Sequence, residues 1–260
     1  MLPISIIEQQ LTTRTFGRHL RPFETIDSTN TFAKQLPAEE AVHGLVIQAE
    51  EQTAGRGRLQ RTWESPAGTN LLFSVVLIPE SSVEKISLLP FAGALAVADA
   101  IESVTGLSCS CKWPNDVLVN GKKVCGMLLE SVAGMHGISR VVLGIGINVN
   151  QEEFPEELQW KATSLRNELG RVVDRSALFC SVLAELEARY DQLMHFPSER
   201  LMHDWKMKAL LFGKRITVLE NEFSFAATAV DVAEDGGLVI RTDEGEHRKI
   251  FAGDVSLAYQ

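Results

Sequence analysis

No apolar run in the chain approaches the roughly 20 residues that a membrane-crossing helix needs. The opening residues, MLPISIIEQQLTTRTFGRHL, lack the basic segment and uninterrupted apolar segment of a secretory signal. No region is broadly basic, and 34 acidic against 25 basic side chains leave a formal net charge of −9. That balance argues against nonspecific binding to nucleic acid or to an acidic membrane. There are only four cysteines, of which Cys109 and Cys111 form a C-x-C while Cys125 and Cys180 stand alone. No Cys/His cluster completes a metal set, so they read as reduced thiols packed as small apolar groups. Neither an internal repeat nor a low-complexity tract is present. These absences lead us to expect a soluble, cytoplasmic protein with no membrane partner.

At 260 residues, 45% of them hydrophobic and 23% charged, the chain can bury a substantial core as one large domain or a large one with a small companion. Helix-like and strand-like patterns alternate as far as residue 211. Residues 4–11 read as a short amphipathic helix. FETIDSTNTFAKQL reads as a strand followed by a helix capped at Asp27 or Ser28 and ending before Pro37. GLVIQAEEQ, NLLFSVVLIP and RVVLGIGINVN read as buried strands. EKISLLPFAGALAVADAIESVTG has core-facing helical spacing, starts properly near Pro90 and closes on Gly106. KWPNDVLV and KKVCGMLLE read as two strands joined through Asn120-Gly121, a strong hairpin signal. Helices are expected over 175–195, capped at Asp174, and over 198–211. Beyond Lys214 come KRITVLE, FAATAVDV, GLVIRTD, HRKIFAG and VSLAY, short strands separated by polar turns. Their spacing suggests a small barrel.

The most unusual stretch is GRGRLQRTW, residues 55–63, which concentrates Arg56, Arg58 and Arg61 around two glycines in an acidic chain. It lacks the Gly-Lys-Ser/Thr of a Walker A loop and the third glycine of a dinucleotide fingerprint. A mobile loop carrying guanidinium forks suits closure over a phosphate or carboxylate. The plainer alternative is an exposed turn whose arginines pair with nearby carboxylates, and composition leaves both open. A lysine aimed from the hairpin into a cleft would neutralise charge at an acyl or phosphoryl centre. Neighbouring residues point to opposite faces, so at most one of Lys122 and Lys123 serves that purpose, and a polar hairpin tip is the alternative for both. Gly126 within a strand marks close approach of a ligand or another backbone. In GIGINVN the glycines let a sheet pack closely, while Asn148 and Asn150 need partners in an apolar run. Asp27-Ser28-Thr29-Asn30 are ordinary capping residues that would also suit a neutral polar ligand head.

Taken in order, DSTN, then Q-x-A-GRGR-x-x-R-x-W, then KWPND with KK-x-x-G-x-L-x-E, then GIGIN, the chain resembles the catalytic domain of the biotin protein ligases. DWKMKALLFGKRITV through GDVSL resembles their C-terminal SH3-like barrel. The resemblance runs from about residue 23 to the end. It implies an α+β fold: a class II aminoacyl-tRNA-synthetase-like catalytic domain over 1–211, a mixed sheet flanked by helices, with the barrel over 212–260. It implies ATP-dependent conversion of biotin to biotinyl-AMP, with Mg²⁺, and transfer to a lysine of a biotin carboxyl carrier protein. By matched position, Ser28, Thr29, Asn30 and Gln52 would hold the biotin head group. Arg56, Gly57 and Arg58 would form the ligand-ordered loop, with Arg58 reaching the α-phosphate and the acid end of biotin. Lys123, rather than Lys122, matches the catalytic lysine beside carboxylate and phosphate, Asp116 would orient groups there, and Gly126 would line the pocket. Gly55, Arg58, Trp63, Asn115, Asn148 and Trp160 would fall on the ATP or adenylate side, Trp63 also anchoring the far end of the loop. Metal ligands stay unassigned.

Two departures matter. The family usually has glycine where this chain has Gln60, which should stiffen the loop. Members that double as repressors carry a winged helix-turn-helix ahead of DSTN, whereas 26 residues precede Asp27 here, so no DNA binding is expected. Dimers through the sheet are common in the family, which makes a homodimer one expectation. A lipoate or octanoate ligase is the enzymatic alternative, and a biotin-binding regulator with vestigial catalysis is the non-enzymatic one.

Overall fold

A computed structural model of the chain describes residues 1–78, 82–135, 137–220, 223–251 and 253–257, with the backbone alone at Gln60 and Leu257. Pro79 of the expected strand NLLFSVVLIP, and Ala258 and Tyr259 of VSLAY, lie outside the described residues. In chain order the elements are α1 (Ile4–Gln10), β1 (Leu20–Ile26), α2 (Thr29–Gln35), β2 (Val46–Gln52), β3 (Leu71–Leu77), α3 (Val83–Ser87), α4 (Leu89–Thr105), β4 (Cys109–Lys112), β5 (Asp116–Val119), β6 (Lys122–Gly134), β7 (Gly137–Ile147), α5 (Leu165–Leu169), α6 (Arg175–His195), α7 (Ser198–Lys208), β8 (Arg215–Glu220), β9 (Phe223–Val232), β10 (Leu238–Arg241), β11 (His247–Ile250) and β12 (Asp254–Leu257).

The helix boundaries follow local chemistry. Ser28, not Asp27, caps α2 by accepting the Thr31 N–H at 3.4 Å. Asp174 caps α6 by accepting from Ser176 and Ala177, and Gly106 closes α4 in the left-handed region. The long helical pattern ahead of Gly106 is divided into α3 and α4, with Pro90 in the first turn of α4. KWPNDVLV is not one strand. Lys112 ends β4, Asp116 begins β5, and the turn between them carries a cis Trp113–Pro114 bond. The polar, cysteine-containing SCSCK does not read as a strand, yet it pairs along β5 from Cys109↔Val119 to Lys112↔Asp116.

The larger sheet has the order β1-β2-β3-β7-β6-β5-β4, parallel between β1 and β2 and antiparallel elsewhere. Side-chain alternation gives its central strands two unlike faces. Phe73, Val75 and Leu77 of β3, Met127 and Leu129 of β6, and Val141, Leu143, Ile145 and Ile147 of β7 pack with α4 and α6 in the main core. The alternate positions, Ser74, Gly126, Leu128, Glu130, Gly144 and Gly146, face the other way. There α2 covers Ile47, Val76 and Val142 through Ala33 and Leu36 in a small second core.

A second, antiparallel sheet has the order β11-β10-β9-β8-β12. Its β9–β10 turn docks on the first unit: the Trp113 indole donates to the Gly236 carbonyl at 2.9 Å. Gly236 has φ +83°, and a Cβ there would lie 2.9 Å from the Phe91 ring, so glycine is required twice over. Lys206 of α7 pairs with Asp231 of β9 at 2.8 Å.

Glu187 on α6 holds the segment before β1 by accepting the N–H groups of Arg14, Thr15 and Phe16 at 2.8, 2.7 and 3.0 Å. Burial alone would raise its pKa, but those three donors and the Arg14 charge hold it below the ordinary carboxylate value. A depressed carboxylate stabilises above its unfolded pKa, and the contribution is lost as pH falls through the folded value. Glu187→Gln should therefore destabilise by about 1.5–3 kcal/mol at neutral pH. The difference from the parent should shrink as pH drops below about 4.5. Thermal melts at pH 7 and pH 3 test this; an equal difference at both would show that the charge of Glu187 plays no part.

Candidate functional site

The glycine-rich face of the large sheet forms the floor of a cleft of about 1170 Å³, walled by α2, the 55–63 loop, residues 153–162 and the edge of the second sheet. Ser28, Thr29, Asn30, Gln52, Arg56, Gly57 and Arg58 line it, as do Trp63, Asn115, Asp116, Lys123, Gly126, Asn148 and Trp160. Gly55 is not a lining residue. It is buried at the root of the loop, where a Cβ would fall on the Trp63 carbonyl oxygen, and it accepts the Trp63 N–H at 3.0 Å. A smaller cavity of about 650 Å³ between α1 and the start of β1 contains none of the residues singled out from the sequence.

One end of the cleft is a buried polar network. Thr29 donates both its N–H, at 2.8 Å, and its hydroxyl, at 3.1 Å, to Gln52 Oε1. Ser74 Oγ lies 2.7 Å from the Thr29 hydroxyl and 2.6 Å from Asn30 Oδ1. Asn30 Nδ2 donates to the Leu128 carbonyl and, at 2.9 Å, to Glu130. Gly144 pairs with both Ser74 and Leu128 across the sheet, and a Cβ there would fall on Asn30 Oδ1. Its absent side chain makes room for that amide, not for tighter strand packing.

The middle of the floor is the cross-strand pair Gly126↔Gly146. A Cβ at Gly146 would lie 2.7 Å from the Trp63 indole, and one at Gly126 would lie 3.0 Å from it and 2.7 Å from Lys123 Nζ. The indole N–H is buried and meets no acceptor among the described residues. Lys123 Nζ stands 5.5 Å from the Trp63 ring centroid and 2.7 Å from Asp116 Oδ1. Strict alternation would set Lys123 opposite to Gly126. The β5–β6 register shifts, from Val117↔Cys125 to Leu118↔Lys123, so Val124 is a bulge that re-aims Lys123 onto the Gly126 face. Lys122 instead donates to the Gln159 carbonyl.

The arginine loop is folded. It contains a single 3₁₀ turn, Arg58–Gln60, with Leu59 at φ +53°, and Gly57 donates to the Arg61 carbonyl at 2.7 Å. Each arginine has its own acceptor. Arg56 reaches Glu130 at 2.9 Å and the Thr31 hydroxyl at 3.2 Å. Arg58 donates to Asn115 Oδ1 at 3.3 Å and to the Gly253 carbonyl at 2.8 Å. Arg61 pairs with Asp254 of β12. Burial would raise the Asp254 pKa, but the Lys112, Arg61 and Lys123 charges hold it below the ordinary value. Asn148 works as a backbone clamp: its N–H donates to Val124, its Nδ2 to Thr163, and its carbonyl accepts from Leu165. Asn150 clamps likewise, exchanging hydrogen bonds with Val173. Trp160 lies on the rim, 57% exposed, with Lys161 Nζ 5.2 Å from its ring.

Ser74, Lys34 and Asp254 are not singled out by the sequence, and Lys112 and Glu130 enter only as the first letter of KWPND and the last letter of KK-x-x-G-x-L-x-E. Each acts through a partner distant in sequence, which no local pattern reveals. The exception is Ser74, a polar residue amid apolar ones in β3, where a buried hydroxyl needs a partner.

Residues 23–148 match the Biotin/lipoate A/B protein ligase family, and residues 211–258 match the Biotin protein ligase C terminal domain. The chain is similar to the Biotin--[acetyl-CoA-carboxylase] ligase of Mycobacterium tuberculosis, 34% identical over 248 residues, covering 92% of this chain and 90% of that one. It is similar to the Bifunctional ligase/repressor BirA of Bacillus spizizenii, 37% identical over 251 residues, covering 95% of this chain and 76% of the relative. Among solved structures, the biotin protein ligase from Aquifex aeolicus in complex with biotin and ATP superposes with a TM-score of 0.82 at 32% identity, covering 94% of this chain and all of that one.

Gly146→Val should expel the Trp63 indole, because overpacking at such a contact costs about 1–3 kcal/mol. Trypsin cleavage after Arg58 and Arg61 should then accelerate roughly tenfold, with little change in the global melting temperature. An unchanged cleavage rate would show that the indole's seat does not anchor the loop.

Proposed function

This chain belongs to the biotin protein ligase family, and from that premise we propose that it condenses biotin with ATP to biotinyl-AMP and transfers the biotinyl group to a lysine of a biotin carboxyl carrier protein. The observation that carries the reading is one cleft with three zones in a row. A neutral hydrogen-bonding pocket, Thr29–Asn30–Gln52, suits the uncharged polar head of biotin. The Gly126–Gly146 strip seats the Trp63 indole, an apolar surface along which its acyl chain would lie. Lys123, with the arginine loop above it, offers the cationic end that a carboxylate and a phosphate need.

The chemistry then follows. The biotin carboxylate oxygen attacks the α-phosphorus of ATP, and the bond to pyrophosphate breaks. Negative charge builds on the phosphate oxygens during that step, and Lys123 and Arg58 are the cations assigned to it. Asp116 aims the Lys123 amine at 2.7 Å and is assigned an orienting role. Arg58 presently donates to Asn115 and Gly253, and bound adenylate would replace or share those acceptors. In the second step the carrier's lysine amine attacks the acyl carbon, AMP departs, and the amine gives up a proton. A loop folded over the mixed anhydride limits its hydrolysis meanwhile. Ser28 would complete the head-group pocket, Arg56 and Gly57 would shape the loop side of it, Trp63, Asn148 and Trp160 would bound the nucleotide, and Gly55 would act only by rooting the loop.

Mg²⁺ enters the reading as part of the nucleotide substrate. Among the described residues no three His, Cys, Asp or Glu side chains group to hold a cation, which suits an ion carried on phosphates. We take residues 1–211 as the adenylating unit and 212–260 as the barrel. A cytoplasmic location is supported by the dependence on ATP and a carboxylase partner. The net charge of −9 supports a reading without nonspecific DNA contact, and the position of β1 at the edge of the sheet leaves a dimer through the sheet within it.

ATP–pyrophosphate exchange run with biotin, lipoate and octanoate in parallel tests the function. Exchange with biotin alone is expected. Exchange with lipoate or octanoate instead would keep the adenylation chemistry and reject the acid. Lys123→Ala should lower the biotin-dependent rate by about 10²–10³-fold, and a near-parental rate would remove Lys123 from the adenylation step.

A further inference from the structure

Resting on the reading of the cleft as the biotin and adenylate site, we propose that Glu130 is a positioning residue that couples the head-group pocket to closure of the arginine loop. Its carboxylate collects three donors, two from α2 and one from the arginine loop. Lys34 of α2 approaches Oε1 at 2.6 Å, and Asn30 Nδ2 and Arg56 both approach Oε2 at 2.9 Å. Glu130 lies on the same face of β6 as Gly126 and Leu128, two positions beyond the carbonyl that Asn30 also reaches.

Two consequences follow from this arrangement. An Asn amide can present either its oxygen or its NH₂ group. A carboxylate accepts only, so Glu130, together with the Leu128 carbonyl, holds Nδ2 toward itself and Oδ1 toward Ser74, 2.6 Å away. The direction of hydrogen bonding in the pocket is thereby fixed from outside it. The same oxygen also receives Arg56, which immediately follows the buried root of the loop at Gly55. One oxygen atom thus serves both the pocket and the loop, and displacement of either partner is felt by the other. Burial would raise the Glu130 pKa, but Lys34, Asn30 and Arg56 together hold it low, so the anion persists at neutral pH.

The test compares Glu130→Gln, Arg56→Gln and the double variant in the full-length protein. Two readouts are taken: trypsin cleavage after Arg58 and Arg61, and the kcat and KM for biotin in pyrophosphate exchange. Glu130→Gln should speed cleavage about fivefold, the size of effect expected when a half-exposed ion pair is lost. The biotin KM should rise by a similar factor, with kcat at saturating biotin within about threefold of the parent. Arg56→Gln should move both readouts in the same direction, and the double variant should be no worse than Glu130→Gln alone, because the Glu130–Arg56 interaction cannot be lost twice. Unchanged cleavage, faster cleavage without a change in biotin KM, a fall in kcat at constant KM, or additive effects would each overturn the proposal. If Glu130→Gln does not fold, Arg56→Gln decides alone: a more open loop with unaltered biotin KM rejects the coupling. The cleavage readout needs no turnover. A parent protein inactive with biotin would therefore refute the functional reading while leaving the Glu130–Arg56 tether separately measured.

Discussion

The strands β3, β6 and β7 must do opposite things on their two faces, and the rest of the molecule is arranged around that requirement. On one face they carry Phe73, Val75, Met127, Leu143 and Ile145 into the main core, and this burial supplies most of the driving force for folding. On the other face, Gly126, Gly144 and Gly146 contribute no side chain at all. A strand interior is weakened by glycine, and here the loss falls at the centre of a seven-stranded sheet, where neighbours on both sides hold the backbone. The return is a floor on which an indole, an amide and an amine lie directly against the backbone. An edge strand would not support such a strip.

Charge is organised by the same floor. The chain is acidic overall, yet the cleft gathers Arg56, Arg58, Arg61, Lys112 and Lys123. Glu130, Asn115 with the Gly253 carbonyl, Asp254 and Asp116 each hold one or more of them. An anionic ligand entering the cleft therefore meets prepositioned donors and competes with acceptors of the chain itself.

Much of the scaffold was legible because its signals are local. Ser28, Asp174 and Gly106 end or begin helices by rules that act within one turn, and Asn120-Gly121 marks the β5–β6 hairpin. The split of KWPNDVLV was not legible, because β4 lacks apolar alternation and is defined by its partner β5. In the site, alternation allowed only one of Lys122 and Lys123 to face the cleft, and family resemblance selected Lys123. The physical reason is the bulge at Val124, which no composition announces. The glycines of GIGIN were visible as absences, but what would fill the space above them was not. Asn30 and Trp63 are far from them in sequence, and only tertiary structure brings them together.

The second sheet is more than an appendage. Two of its contacts with the first unit differ in chemistry. At one, Gly236 seats its turn against Trp113 and Phe91, an apolar contact that fixes position. At the other, Gly253 and Asp254 accept from Arg58 and Arg61, so the strand that closes the second sheet also holds the far side of the arginine loop. The loop is thus suspended between β6, through Glu130, and β12, through Asp254. Its end at Trp63 rests on the floor between them, hydrogen-bonded to the root at Gly55. A rigid-body shift of the second sheet by a fraction of a hydrogen-bond length would slacken one suspension point and not the other. The apolar seat at Trp113 opposes such a shift, which makes the fixed distance between the two sheets a condition for the loop to keep its shape.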